Sequence, residues 1–159
     1  MKGTILFVCG VVVGGVLLQA GVAQDSQRRG INHIGISTSH FDAALAFYKD
    51  TLGAKEAFTL RNDDGSVRLT YLQLSRDTFV ELLPVAAGRP TGITHVGIET
   101  GDVEGSVANL RRHGFSVDAP IVGVSKARVG RITDPDGVPL EIMEIGPDSL
   151  QRKAVEAWK

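Results

Sequence analysis

Apolar and polar positions follow the same order in two parts of the chain. Residues 31–38, with the sequence INHIGIST, align with residues 93–100, ITHVGIET, at a constant offset of 62. Each segment predicts an apolar strand that runs into a polar turn. Apolar residues then recur at helical spacing over residues 41–52 and 103–113, which predicts one helix in each copy. The chain therefore contains an internal repeat.

Three short runs typical of β-strands follow each predicted helix. The turns between them include Asn62-Asp63-Asp64-Gly65 and Asp134-Pro135-Asp136-Gly137, whose residue types favour tight turns. We therefore predict an α+β fold of two tandem βαβββ modules. Because neither module can bury its sheet face alone, the two are expected to pack as one pseudo-symmetric, cupped mixed sheet. The strands after the helices are predicted at residues 57–60, 67–74 and 78–83, and at residues 116–117, 127–133 and 138–145.

The repeat also divides the chain into segments. A Pro- and Gly-rich stretch joins the two modules, and a polar tail with a helical pattern follows the second. The two modules together form a single predicted domain at residues 31–146. The segments are a flexible stretch at 24–30, module one at 31–83, a linker at 84–92, module two at 93–146 and a helical tail at 147–159.

The first residues have the pattern of a secretory signal. Lys2 precedes an apolar run of about 14 residues, and the small residues Gly21-Val22-Ala23 follow. The run is shorter than the roughly 20 residues of a membrane-spanning helix. We predict a signal peptide at residues 1–23, cleavage after Ala23, and a secreted or periplasmic product with no stable membrane span. The alternative is an uncleaved N-terminal anchor.

Composition excludes several classes of protein. The chain has 159 residues, which is enough for one domain with a substantial core. Its formal charge of −1 argues against a nucleic-acid partner, which would require a basic face. A hydrophobic fraction of 43% excludes wholesale disorder. Cys9 is the sole cysteine, so no disulfide can form within one chain.

Four residues at equivalent places in the two copies predict a metal site. His33 and His95 occupy the same position in the first strand of each module, and Glu81 and Glu141 lie in the last strands. A carboxylate in an apolar strand is unfavourable unless a partner or a metal neutralises it. Either residue type alone is usually a hydrogen-bonded core histidine or a solvent-facing glutamate. The symmetric set of four instead favours a divalent metal site.

A set of short motifs covers about residues 31–146. They are Asn32-His33-Ile34-Gly35-Ile36, Ala46-Phe47-Tyr48, Leu52-Gly53, Val80-Glu81-Leu82-Leu83, Thr94-His95-Val96-Gly97, Asp134-Pro135-Asp136-Gly137 and Leu140-Glu141-Ile142. In these motifs the chain resembles the vicinal oxygen chelate superfamily, which includes glyoxalase I, extradiol dioxygenases and fosfomycin-resistance proteins. The resemblance implies a glyoxalase-like fold in which His33, Glu81, His95 and Glu141 surround one divalent ion that chelates neighbouring substrate oxygens.

The ligand pattern resembles glyoxalase I and the methylmalonyl-CoA epimerase group. This implies a metal-dependent lyase or isomerase that stabilises an enediolate or enolate and moves a proton next to a carbonyl. Glu141 or Glu81 would be the base, and the resemblance favours Glu141. Ni²⁺, Co²⁺ or Zn²⁺ is the expected ion, with Mn²⁺ or Fe²⁺ as alternatives. A glutathione or other thiol substrate stays open, because the residues after Glu81 depart from the glyoxalase I pattern.

Other functions and arrangements stay open at this point. One is a secreted module of the same fold that binds or sequesters a small molecule. Another is a ring-cleaving dioxygenase, which would tolerate the loss of Glu81. We expect a homodimer, with the site formed within one chain or across two. Four arginines near the predicted strands could hold an anionic substrate group or be solvated at the surface, and they are Arg61, Arg68, Arg128 and Arg131.

Overall fold

The computed structural model describes residues 28–88 and 90–159. The predicted signal peptide at residues 1–23 lies outside this part of the chain, as does most of the predicted flexible segment. Within the described part, none of the helices has the length and apolar character needed to cross a bilayer.

Eight strands and three α-helices make up the described part of the chain. The first helix continues into a short π-helical turn, so this helical segment extends to Thr51. In chain order the elements are β1 (Arg28–Thr38), α1 (Phe41–Ala46), the π-helical turn (Phe47–Thr51), β2 (Lys55–Arg61), β3 (Val67–Ser75), β4 (Thr78–Pro84), β5 (Gly92–Thr100), α2 (Val103–Arg112), β6 (Ile121–Val122), β7 (Arg128–Thr133), β8 (Pro139–Glu144) and α3 (Leu150–Ala157).

The strands form one mixed sheet in the order β2-β3-β4-β1-β5-β8-β7-β6. The opening strands of the two modules, β1 and β5, pair antiparallel at its centre. Each of them also pairs in parallel with the last strand of its own module, β4 or β8. The remaining pairings are antiparallel. This arrangement confirms the predicted α+β fold of two tandem βαβββ modules around a curled sheet.

The sheet has a different covering on each face. Neighbouring residues of a strand point to opposite faces of the sheet, so elements that pack on Ile142 and on its neighbour Met143 cover opposite faces. Helix α1 packs over Leu82 and helix α2 packs over Ile142 on one face. Met143 points to the other, concave face, where it belongs to the same apolar cluster as Tyr71 and Val155 of α3. The C-terminal helix therefore covers part of the concave face.

One predicted strand is wrong. Residues 116–117 are not in a strand, and β6 forms instead at Ile121–Val122. The carbonyl oxygen of Val117 accepts hydrogen bonds from Nε and a terminal nitrogen of Arg111, at 2.9 and 2.6 Å. The Val117 side chain is buried in the cluster beneath α2. This segment therefore anchors the end of the helix, and the strand begins only after Pro120, which has no backbone N–H to donate.

A reciprocal pairing of histidine with glycine lies at the centre of the sheet. In the β1–β5 register His33 lies opposite Gly97, and Gly35 lies opposite His95. A Cβ atom on either glycine would overlap the opposing imidazole ring. Directly paired residues of antiparallel strands point to the same face. Each ring can therefore lie flat over the neighbouring strand only because the facing residue has no side chain.

We expect Gly97→Ala to displace the His33 ring and to destabilise the protein by about 1–3 kcal/mol, because the added methyl group has no space. Chemical denaturation of the purified variant measures this change. Gly101→Ala is the matched control, since a Cβ at that position has no neighbour within 4 Å. Equal stability of the two variants would contradict this account of the central pairing.

Candidate metal centre

The four residues predicted as metal ligands come from four adjacent strands of the sheet. His33 and Glu81 lie on β1 and β4, and His95 and Glu141 lie on β5 and β8. The parallel pairings place Gly35 beside Glu81 and Gly97 beside Glu141. Each histidine in turn lies opposite one of these glycines on the neighbouring central strand. All four side chains therefore meet on the concave face, within one chain.

Three of these side chains form a compact group. One possible ligand atom each from His33, Glu81 and His95 lies within 4.8 Å of the others. The Nε2 atoms of the two histidines are 3.0 Å apart, and Oε2 of Glu81 is 2.8 Å from Nε2 of His95. The same carboxylate oxygen is 3.7 Å from Nε2 of His33. Oε2 of Glu141 lies 3.8 Å from Nε2 of His33, on the other side of the group.

This donor set fits a divalent transition ion. Ligands held about 2.1 Å from a common ion are about 3.0 Å apart at a right angle and about 4.2 Å apart when opposite. The separations of 2.8 to 3.8 Å lie close to these values. Imidazole nitrogens together with carboxylate oxygens are ligands that Zn²⁺, Ni²⁺ and related ions accept. His33, Glu81 and His95 could therefore hold such an ion, with Glu141 able to complete the set.

His33 is held in its neutral form. Burial, followed by the nearby charge of His95, lowers the pKa of His33 from 6.5 to about 3. Its Nδ1 lies 3.3 Å from Oδ1 of Asn32, and an amide oxygen can only accept a hydrogen bond. The ring proton is therefore on Nδ1, and the lone pair of Nε2 points toward His95 and the two glutamates.

His95 differs from His33 in its protonation. Burial alone would lower the pKa of His95, but the hydrogen bond to Glu81 and the charges of Glu81 and Glu141 together raise it above 6.5. Its Nδ1 lies 2.9 Å from the Thr94 hydroxyl, a group that can donate or accept. Without a metal, Nε2–H of His95 donates to Glu81.

The two glutamates have different neighbours across the strands. Glu81 pairs with Tyr71, whose buried ring lies with its centroid 5.3 Å from that of His33. Burial, then the charges of Glu81 and Glu141, raise the pKa of Tyr71 well above 10.0. Glu141 pairs instead with Arg131, whose Nε donates to Oε1 of Glu141 at 3.0 Å. The Arg131 side chain is 59% exposed, so this second carboxylate stands at the solvent side of the site.

Two of the other arginines considered from the sequence have partners outside this group of contacts. Arg128 pairs with Glu104 of α2, and Arg61 donates to the carbonyl oxygen of Gly65 in the β2–β3 turn. Sequence analysis missed Tyr71, and it also missed the residue that fixes the His33 tautomer, Asn32. Asn32 directly precedes His33 and is fully buried, although the sequence pattern alone gave it no role.

Metal affinity should rise with pH. His95 must lose a proton to bind an ion and its pKa is raised, whereas His33 is already neutral. We expect about a tenfold gain in affinity per pH unit below the pKa of His95, levelling off above it. Calorimetric titration with Co²⁺ from about pH 6 to about pH 8, in buffers of different ionisation enthalpy, measures affinity and proton release. An affinity that is constant over this range would contradict the assignment.

Several proteins of known structure or activity resemble this chain. It is 28% identical over 111 residues to ethylmalonyl-CoA/methylmalonyl-CoA epimerase of Cereibacter sphaeroides, covering 63% of this chain and 79% of that protein. A variant of Streptomyces coelicolor methylmalonyl-CoA epimerase, in complex with 2-nitronate-propionyl-CoA, is 28% identical with a TM-score of 0.60. That match covers 72% of this chain and 96% of the other. Methylmalonyl-CoA epimerase from Mycobacterium tuberculosis shares the fold, with a TM-score of 0.66 at 24% identity over 77% of this chain and 91% of that one.

A family model also matches this chain. It matches residues 30–142, which contain six of the eight strands in full, most of β1 and β8, and all four residues of the site. The chain therefore belongs to the Glyoxalase/Bleomycin resistance protein/Dioxygenase superfamily.

Proposed function

We propose that the protein is an isomerase of the epimerase type, which removes a proton from the carbon beside a carbonyl group and returns it. The observation that carries this proposal is the pairing of two histidines with two carboxylates on one concave face, one carboxylate held inside and one at the solvent side. The similarity to methylmalonyl-CoA epimerases supports the same reaction class.

The residues divide into two roles. His33, His95 and Glu81 are proposed to hold a divalent ion, because their donor atoms already form a compact group. Such an ion, when bound, supplies positive charge that offsets the negative charge developing on a carbonyl oxygen as the neighbouring proton leaves. The identity of the ion among Ni²⁺, Co²⁺, Zn²⁺, Mn²⁺ and Fe²⁺ stays a prediction.

Glu141 is the proposed proton-transferring residue. Its carboxylate is more exposed than that of Glu81, with 18% against 10% of the side chain accessible. It contacts no histidine as closely as Glu81 contacts His95, so it is the freer of the two to reach a substrate carbon. Arg131 holds one oxygen of Glu141 and leaves the other directed toward the site. A carboxylate in this position can accept a proton and return it.

The substrate proposed first is a carboxyacyl thioester. The names of the similar epimerases give ethylmalonyl-CoA and methylmalonyl-CoA, which are compounds of this class, as the substrates of those proteins. In this chain the exposed guanidinium of Arg131 lies beside Glu141, where it can bind a substrate carboxylate. The predicted export of the chain, with cleavage after Ala23, would separate it from CoA esters of the cytoplasm. We therefore propose the reaction class for this protein and use methylmalonyl-CoA as a probe of it.

The two glutamates should respond differently to substitution. We expect Glu141→Gln to keep metal affinity within about tenfold and to slow proton exchange by at least about 100-fold, because an amide cannot act as the base. Glu81→Gln should weaken metal binding more strongly, since Glu81 directly contacts His95. Mass spectrometry of deuterium uptake from D₂O at C2 of methylmalonyl-CoA measures exchange, and Co²⁺ titration measures binding.

Glu144→Gln is the matched control for both measurements. Glu144 lies on the same strand as Glu141 and accepts a hydrogen bond from the backbone N–H of Val103, away from the site. Full exchange activity in Glu141→Gln would refute its role as the base. Wild-type protein that binds metal but exchanges no proton would refute the thioester substrate and favour a binding module.

We also propose a homodimer formed through the face of the sheet between α1 and α2. Three apolar pairs in β1 and β5 alternate with the histidine–glycine pairs and therefore point away from the metal centre. Ile31 is 56% exposed and Ile93 is 69% exposed, which is unusual for isoleucine in a central strand. Contiguous apolar surface of this kind is typical of subunit interfaces, and a two-fold axis would let it cover itself. The pairs are Ile31–Ile98, Ile34–Val96 and Ile36–Ile93.

Ile93→Lys should convert this dimer to a monomer, because the substitution places a charge within the apolar surface, at its most exposed residue. Light scattering coupled to size-exclusion chromatography measures the mass. Ile121→Lys is the control, since Ile121 is similarly exposed but lies on the edge strand β6. A wild-type protein that is monomeric would refute the interface, as would a dimer that survives Ile93→Lys.

A further inference from the structure

A chain of buried polar contacts joins His33 to the C-terminal helix. Oδ1 of Asn32 lies 3.3 Å from Nδ1 of His33, and Nδ2 of Asn32 donates to Oε2 of Glu99 at 3.1 Å. The other oxygen of Glu99 lies 3.6 Å from a terminal nitrogen of Arg152 in α3. Nε of Arg152 also donates to the carbonyl oxygen of Ile145 at 3.2 Å, which fixes the guanidinium.

The charges at the Arg152 end of this series of contacts determine which group donates in each hydrogen bond. Glu99 is only 7% exposed, and a carboxylate so deeply buried needs compensating charge, to which Arg152 contributes. An ionised carboxylate can only accept hydrogen bonds, so Asn32 must present its NH₂ group to Glu99 and its oxygen to His33. His33 must then donate from Nδ1. The lone pair of its Nε2 is left for the centre of the site.

This support belongs to one module alone. The residue that corresponds to Asn32 in module two is Thr94, whose hydroxyl can rotate and either donate or accept. The residue that corresponds to Glu99 in module one is Ser37, which carries no charge. Arg152 lies in α3, beyond the residues 30–142 that match the family model. The repeat therefore does not account for the contacts that orient His33.

We propose that Asn32, Glu99 and Arg152 are positioning residues that hold His33 in its metal-binding tautomer, with α3 contributing the charge that orients the series. The proposal rests on the metal site put forward above. It assigns a role to the C-terminal helix beyond covering apolar surface, because the helix acts on His33 through two intervening side chains. Partners that orient a ligating histidine typically change metal affinity by 10–100-fold.

Glu99→Gln tests the direction of the series with little change in size. A neutral amide can present either its oxygen or its NH₂ group, so Asn32 is free to turn over and donate to Nδ1 of His33. The ring proton then moves to Nε2, where it competes with the metal. We expect Co²⁺ affinity to fall by about 10–100-fold at constant pH. In the metal-free variant, ¹⁵N NMR of the imidazoles should show His33 protonated on Nε2 instead of Nδ1.

Arg152 supplies a second, independent test that leaves the buried carboxylate in place. Arg152→Gln should weaken Co²⁺ binding in the same direction, and Arg152→Lys, which keeps the charge, should restore most of the affinity. Glu144→Gln is again the matched control, because it removes a partly buried carboxylate that bonds a backbone N–H away from His33. Circular dichroism and thermal melts identify any variant that fails to fold. If Glu99→Gln is such a variant, the comparison of Co²⁺ affinity between Arg152→Gln and Arg152→Lys tests the proposal.

The outcomes separate this proposal from the proposed function. Wild-type protein that binds no Co²⁺ would refute the metal site itself. Wild-type binding together with unchanged affinity and an unchanged His33 tautomer in folded Glu99→Gln and Arg152→Gln would refute the positioning role alone. Weakened binding in both, with the proton relocated to Nε2 and affinity restored by Arg152→Lys, would support it.

Discussion

The close contact of β1 with β5 is the constraint on which the rest of the structure depends. Each strand carries a histidine whose ring lies over a glycine of the other strand, and the space for both rings exists only because the two glycines lack side chains. This reciprocal fit fixes the register of the two modules. The parallel neighbours β4 and β8 are then aligned with the same centre, and their glutamates follow. The register of one strand pair thus determines the geometry of the whole site.

The repeat supplies a symmetric frame, but the chemistry within it is asymmetric. Glu81 faces a buried tyrosine and contacts a histidine, whereas Glu141 faces an exposed arginine at the solvent side. His33 is tied to a buried amide and stays neutral, while the pKa of His95 is raised by the carboxylates around it. Duplicated backbones therefore present equivalent positions whose protonation and exposure are set by residues that differ between the copies.

Sequence patterns predict the features that depend on local periodicity and on the repeat. The offset of 62 residues was sufficient to infer two βαβββ modules and to place four side chains at equivalent positions. It could not distinguish Glu81 from Glu141, because their difference arises from cross-strand neighbours. It also misplaced a strand at residues 116–117, where tertiary contacts of Val117 with α2 prevail over local β-propensity. The link from Asn32 through Glu99 to Arg152 joins distant parts of the chain and has no local signature.

The path of the backbone has a consequence for how the protein is made. The first described strand supplies His33, and the last described helix supplies an arginine that pairs with Glu99 behind it. Contacts between segments so far apart in sequence form late, because the intervening chain must first be ordered. On a ribosome the contacts behind His33 therefore stay incomplete until α3 has emerged. A nascent chain that still lacks this helix has both central strands but not the arginine that pairs with Glu99, so the surroundings of His33 are completed only after α3 is translated.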